Sequence, residues 1–355
     1  FAVSAIMAPI WGRLADKKGK RLMAIRSSLL LAISYFLGGI VTSPLQLTFM
    51  RMFQGFAAGL WPMELAIMTT YAPPKKLGIC LGVMQGALTA GGVIGPLFGG
   101  LLAEIFGMRM SFFLAAGALF LNFLILVFFI KEPPDTDTPT ETAKAAAPAE
   151  EGSLWHHPLI RNMLIFAVLV QMVILIIQPV LTTYVTELAG HLDNLIFISG
   201  LVFSLGGFAS AVSSPLWGRF GQHHGFHTSL TYALFATSLV FFLQAVPDDL
   251  YYFAATQFAI GLFFSGIYPS INAILAENTT AHMKGRVFGL LFSAQQIGSM
   301  AGPLLLGEAT TAALQSNVSI SYALTYFFGM AGVIVLIMSI FARRQQKIAM
   351  RQYHP

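Results

Sequence analysis

The chain has 355 residues, of which 56% are hydrophobic and only 10% charged, with a net charge of +5 and a mean hydropathy of +0.73. Soluble domains carry about a quarter charged residues, so this composition excludes an ordinary soluble protein and points to the membrane. A single cysteine, Cys80, excludes an internal disulfide framework and a cysteine-rich metal site.

A helix needs roughly 20 mainly apolar residues to cross a hydrocarbon core about 30 Å thick. Taken in order, the apolar runs predict eleven spans, at 1–11, 22–42, 45–70, 77–104, 110–130, 159–187, 193–217, 228–246, 249–276, 286–312 and 319–341. The opening "FAVSAIMAPIW" has no initiator Met, basic n-region or cleavage site, so it reads as the end of a helix in progress and not as a signal peptide. Between the fifth and sixth spans lies "KEPPDTDTPTETAKAAAPAEEGSLWHHP", whose composition builds no core and reads as a flexible linker over 131–158. It separates a bundle at 1–130 from a second at 159–343, followed by a tail at 344–355.

Basic residues set the orientation. With the loop "GRLADKKGKR" (12–21) cytoplasmic, only Arg109 falls in an outer loop and Arg51 inside a span away from that side, leaving 18 of the 20 Lys and Arg in or next to cytoplasmic segments. That is a positive-inside bias, and it explains the charge rather than a nucleic-acid partner. It places the linker and both termini of the parent protein in the cytoplasm.

The halves repeat each other. "APIWGRLADKKGKR" at 8–21 aligns with "SPLWGRFGQHHGFH" at 214–227, an offset of 206. "GICLGVMQGALTAGGVIGPLFGG" at 78–100 aligns with "GRVFGLLFSAQQIGSMAGPLLLG" at 285–307, an offset of 207. Repeated hydrophobic segments are typical of secondary transporters, whose substrate site lies near the midplane between the repeats. The second half has six spans and the first five, so a twelve-helix parent is expected, with its first helix ahead of Phe1.

The motifs now carry a resemblance. Gly12, Asp16, Gly19, Lys20 and Arg21 match the signature loop between helices 2 and 3 of the major facilitator superfamily. "RMFQG", with Arg51, Gln54 and Gly55, resembles the helix 4 signature of its proton-driven members. "GGVIGPLFGG", with Gly91, Gly95, Pro96, Gly99 and Gly100, resembles the helix 5 motif of drug–proton antiporters. "FIKEPP", "LAGHLDNLIFISGLVFS" and "GRVFGL" look closest to bacterial twelve-helix multidrug efflux proteins. The resemblance covers the chain apart from the linker and implies an all-α polytopic membrane protein with two six-helix bundles, here eleven spans.

Each motif has a physical reading. In the 12–21 loop, glycines permit tight turns and Asp16 stands just before a helix N-terminus, where a carboxylate meets favourable backbone dipoles. The resemblance implies more: Asp16 and its basic neighbours grip the cytoplasmic end of the 286–312 segment, near Lys284 and Arg286. Such a latch would hold one of the two states that alternating access needs; the plainer alternative is that these charges only anchor topology. The second copy has Gln222, His223 and His224 where the first has Asp16, Lys17 and Lys18, so the latch is expected to be one-sided.

Charges inside spans usually face a cavity or a partner. The resemblance implies a part in proton coupling for Arg51, whose alternative is to snorkel toward headgroups. Glu64 is the only acid deep in a predicted span, and a carboxyl whose proton affinity changes when a cation arrives is a coupling device. Its alternative is to reach cytoplasmic water or Lys75. On one continuous helix, thirteen residues put Glu64 roughly 140° from Arg51, which argues against a direct pair. The helix 5 glycines allow close backbone approach and Pro96 allows a bend, giving a gating seal or ordinary packing.

Gln54, Gln85, Gln171, Gln178, Tyr184, Asn272, Gln295 and Gln296 are polar groups in spans available to a cavity, with Phe and Met supplying an adaptable apolar lining. "HHGFH" at 223–227 reads as a bare loop and no metal site is expected. No Walker loop, nucleophile elbow or HExxH segment is visible, so neither ATP-driven transport nor an enzyme has support.

These readings converge on an exporter of lipophilic compounds, cations foremost, exchanged for protons. It needs no cofactor beyond the proton gradient and acts in the cell membrane as a monomer. Two alternatives stay open: export or proton symport of a sugar or other metabolite, and a non-transporting, receptor-like or inactive fragment.

Overall fold

In a bilayer a backbone must satisfy its own N–H and C=O groups, and an apolar run does so as helix. The computed structural model describes residues 1–131, 154, 157–189, 195–246, 249–315 and 320–353. Among them α1 (Ala2–Lys18), α2 (Lys20–Ile40), α3 (Pro44–Ala57), α4 (Leu60–Tyr71), α5 (Leu77–Phe106) and α6 (Met108–Phe128) form the first half. The second half has α7 (Pro158–Ala189), α8 (Leu195–His224), α9 (Phe226–Gln244), α10 (Leu250–Phe264), α11 (Ile267–Glu277), α12 (Lys284–Gln315) and α13 (Ile320–Tyr353). Among the described residues, seven stretches are long and apolar enough to cross a membrane by length and composition. Outward faces are greasy, with Phe128 76% and Tyr251 84% exposed, as a lipid-facing surface requires.

Each expected span corresponds to one helix or a pair, with two differences. The 45–70 span is broken at Gly59, whose φ of 128° cannot continue a helix. The roughly 140° separation of Arg51 and Glu64 supposed one continuous helix and does not apply. Span 249–276 is likewise broken, at Ser265 and Gly266, the repeat position of the first break.

The "GRLADKKGKR" stretch is also not a loop. It is helix to Lys18, a one-residue turn at Gly19 with φ 102°, and helix again from Lys20. "HHGFH" is no bare loop either: α8 runs to His224, Gly225 turns at φ 89°, and α9 begins at Phe226. Most of the linker expected over 131–158 lies outside the described residues. The expected tail continues α13 as helix to Tyr353.

The chain gathers into two compact units. The first holds Phe1–Ala72, Ile94–Ile165 and Leu275–Ile297; the second holds Pro73–Val93, Phe166–Ile274 and Gly298–Pro355. These units divide the chain differently from the expected bundles at 1–130 and 159–343, with 73–93 in the second unit and 275–297 in the first. Inside the first unit, α2 lies on α6 through glycines; a Cβ at Gly38 or Gly39 would come within 2.7 Å of the Phe112 or Phe113 ring. Inside the second, α7 and α12 meet where Gly298 and Gly302 face the Val168 and Met172 carbonyls. Small residues let backbones approach in this way.

Candidate functional site

In the first unit the signature residues meet the start of α12. The Gly285 and Arg286 N–H groups donate to the two Asp16 carboxylate oxygens, at 2.8 and 2.7 Å. These amides belong to the first helical turn, where the chain offers them no acceptor, and the carboxylate also meets the positive end of the helix dipole. Asp16 thus serves a helix N-terminus, though that of α12 and not α2. Gly12 is what permits the approach: a Cβ there would lie 2.5 Å from the Gly285 carbonyl oxygen. Gly19 supplies the turn, Lys20 is buried with 5% exposure, and Arg21 donates to the Val127 carbonyl at 2.6 Å. Lys284 donates to the Thr69 carbonyl at 2.6 Å.

Asp16 and Lys284 both lie outside the spans. Burial pushes the Asp16 carboxyl up from 3.8 to about 6, against the downward pull of the Arg286 and Gly285 N–H groups and of the Lys20 and Arg286 charges. Burial also pulls the Lys284 ammonium down from 10.5 to about 8, with the Lys20 charge adding to the effect. At neutral pH both groups are charged in surroundings that favour neither charge.

The second unit repeats the arrangement without charge. The Gly78 N–H at the start of α5 donates to Gln222 Oε1 at 2.8 Å, and Gln222 Nε2 donates to the Pro74 carbonyl at 3.0 Å. Gln222 is the repeat partner of Asp16, and Gly78 that of Gly285. Gly218, the partner of Gly12, would drive a Cβ into the Gly78 carbonyl oxygen. The expectation of a one-sided latch is therefore corrected: an amide oxygen accepts from an N–H as a carboxylate does, so losing the charge kept the cap. The offset of 206 already aligned the two caps in the sequence.

The polar residues of the spans fall into local groups. Arg51 is exposed on α3 and its Nη1 donates to Gln54 Oε1 at 2.9 Å, one turn along. Gly55 packs α3 on α1, where a Cβ would lie 2.9 Å from the Val3 Cβ. Glu64 is half-buried on α4 and hydrogen-bonds Asn122 of α6, whose Nδ2 donates to Ser28 Oγ at 3.2 Å. Sequence reasoning passed over Asn122, although it is the only amide in the 110–130 span.

Arg26 of α2 was also missed. Its guanidinium lies 3.6 Å from the Trp11 ring centroid, and Nη2 donates to Ser27 Oγ at 2.8 Å and to the Ala58 carbonyl at 3.5 Å, beside the α3–α4 break. In the second unit, Gln171 accepts from the Tyr268 hydroxyl at 2.8 Å, and Asn272 is buried with its Oδ1 unpaired. Gln85 and Gln295 are half-buried and Gln178 is exposed. Tyr184 lies on α7, with its side chain outside the described residues.

The α5 glycines divide into two sets. Close approach occurs at Gly78, Gly82 and Gly86, each against a backbone carbonyl of α8. At Gly91, Gly95 and Gly99, no described atom lies within 4 Å of a would-be Cβ, so no close packing is seen at them among the described residues. Gly302, the repeat partner of Gly95, is by contrast packed on Met172. Pro96 and Gly100 fall within α5, their side-chain surroundings outside the described residues.

Comparisons with known proteins agree on one kind of molecule. A family model described as Major Facilitator Superfamily matches residues 1–207 and 188–350. Multidrug resistance protein MdtG of Salmonella paratyphi A is 33% identical over 345 residues, covering 96% of this chain and 82% of that protein. MdtG of Proteus mirabilis (strain HI4320) is 32% identical over 306 residues, covering 86% and 75%. The uncharacterized MFS-type transporter YuxJ of Bacillus subtilis (strain 168) is 31% identical over 336 residues, covering 95% and 85%. Among solved structures, the human organic anion transporter MFSD10 (TETRAN) has the same fold, with a TM-score of 0.78 over 96% of this chain and 81% of that chain at 18% identity.

Proposed function

Because the chain belongs to the Major Facilitator Superfamily, we propose that it exports lipophilic compounds, cations foremost, in exchange for protons by alternating access. It is a multi-pass membrane transporter and not an enzyme. The observation that carries the drug reading is similarity over 96% of the chain to proteins named for multidrug resistance. Proton coupling rests on Glu64, a carboxyl within a span held by Asn122, with Arg51 as the second charged group of the same unit. The Asp16 clasp on α12 supports a latched state that transport must break. The transporter works as a monomer, without a cofactor, with its linker and tail facing the cytoplasm.

The test is drug-induced proton movement in everted membrane vesicles carrying the protein and acidified inside by respiration. Adding a lipophilic cation is expected to draw protons out of the lumen, and Glu64→Gln to abolish the response. An inserted protein that gives no response across a panel of lipophilic compounds would return the choice to a metabolite substrate or a non-transporting relative.

A further inference from the structure

Trp11 and Trp217 are repeat partners and are held alike. Trp11 Nε1 donates to the Phe56 carbonyl at 2.9 Å, and Trp217 Nε1 to the Leu262 carbonyl at 2.7 Å, with donor and acceptor both displaced by the same 206 residues. What lies beside the two rings differs. In the first unit the protein supplies its own cation, with the Arg26 guanidinium 3.6 Å from the Trp11 centroid. Its partner at the same offset is Tyr232, which carries no charge.

Beside Trp217, the second unit has a cavity of about 870 Å³, walled by Trp217, Phe220, His224, Thr228, Tyr232 and Phe263 among others. The rings make a connected wall. Phe220 stands edge-on to Trp217 at 5.7 Å and to Tyr232 at 6.3 Å, and stacks on His224 at 4.4 Å. Among the described residues, no Lys, Arg, Asp or Glu lines it. The volume falls within the range of drug-sized sites, roughly 300–1,000 Å³. Leu216 and Tyr232 on its wall are 63% and 57% exposed, so the cavity opens to the outside of the unit. His224 and Thr228 flank the Gly225 turn, at the end of the unit that the sequence reads as cytoplasmic, so the opening lies at the inner edge of the bilayer, where amphiphilic cations collect.

An aromatic wall without a fixed charge attracts a cation through the ring quadrupoles, the more strongly once water is removed. We propose that this cavity binds a lipophilic organic cation arriving from the bilayer, which takes at Trp217 the place that Arg26 takes at Trp11. The inference rests on the drug-export reading and deepens it: this is a collection site for such substrates, its described lining coming from α8, α9 and α10.

The experiment uses the full chain in phosphatidylcholine nanodiscs, with radiolabelled tetraphenylphosphonium as the probe and empty nanodiscs subtracted. Tyr232→Arg rebuilds the Arg26 arrangement and is expected to weaken binding at least about tenfold, while Tyr232→Phe stays within about twofold of wild type. Thr228→Arg reaches the same wall from one turn away and replaces Tyr232→Arg if that protein does not fold. An azide-bearing analogue of the probe should label peptides within 213–232. Labelling only elsewhere, or binding untouched by both arginines, would overturn the site. Equally tight binding of neutral triphenylphosphine oxide would make it a groove for apolar chains and overturn the cation assignment. The vesicle assay separates the two readings: drug–proton exchange with no cation bound here sinks this site alone, whereas binding here without exchange sinks the exporter reading and leaves the site.

Discussion

Asp16→Asn tests the clasp at its two amides. The Gly285 and Arg286 N–H groups stand in the first turn of α12, so their protection from exchange comes from Asp16 rather than from the helix itself. An asparagine keeps one oxygen and turns an NH₂ group toward the other donor, leaving one amide without an acceptor. A hydrogen bond to a charged group contributes about 1.5–3 kcal/mol net, and each 1.4 kcal/mol is about tenfold in an opening equilibrium. One of the two amides should therefore exchange about ten- to a hundredfold faster. Hydrogen–deuterium exchange with mass spectrometry at pH 7.5, on peptides covering 284–290, reads this directly, with α11 as internal control. Equal uptake in both proteins, or uniform acceleration across α11 and α12, would refute the reasoning.

The raised Asp16 pKa means the clasped form holds its proton more tightly than an exposed chain, so its contribution to stability is full below about pH 4 and is lost as pH rises to about 6. The thermal midpoint should fall across that window in wild type and not in Asp16→Asn. Lys284 is depressed, so its contribution is full above about pH 10.5 and is lost as pH falls to about 8; Lys284→Met should flatten that range. Gln222→Leu leaves the Gly78 N–H without its acceptor and should cost about 1–3 kcal/mol, read as faster exchange at the start of α5. Gly218→Ala drives a Cβ into the Gly78 carbonyl and should lower stability by about 1–3 kcal/mol in a detergent melt. Gly91→Ala meets no described atom and should leave the midpoint unchanged or raised, and equal effects of the two would sink the packing argument.

How legible the molecule was depended on the range of the interaction. The spans were readable because bilayer thickness imposes a length on every apolar run. The α3–α4 break was not, since Gly59 is one of many glycines and the neighbours beside it, Ser27, Arg26 and Trp11, are distant in sequence. The family motif pointed to Asp16 and to the end of α12, but the kind of bond was unreadable: the partners are backbone N–H groups, which every residue except proline carries. Gln222 was visible and misjudged, because charge was weighed above acceptor geometry. Asn122 became informative only when α6 brought it to Glu64. Gly91, Gly95 and Gly99 match a motif that nothing in the described structure fills.

Two of the helices capped by a side chain find the cap nearby: Ser43 serves α3 and Asp249 serves α10, each three residues from the amide whose hydrogen bond it accepts. The start of α12 waits on a residue 269 positions earlier. At roughly 5–20 residues per second of synthesis, Asp16 leaves the ribosome about 13–54 seconds before the amides it will hold. During that interval its carboxylate and the smooth face at Gly12 have no native partner. The clasp therefore closes only after residues 285 and 286 have been made. A chain arrested before residue 285 leaves the Asp16 carboxylate without the two amides it accepts from in the folded protein.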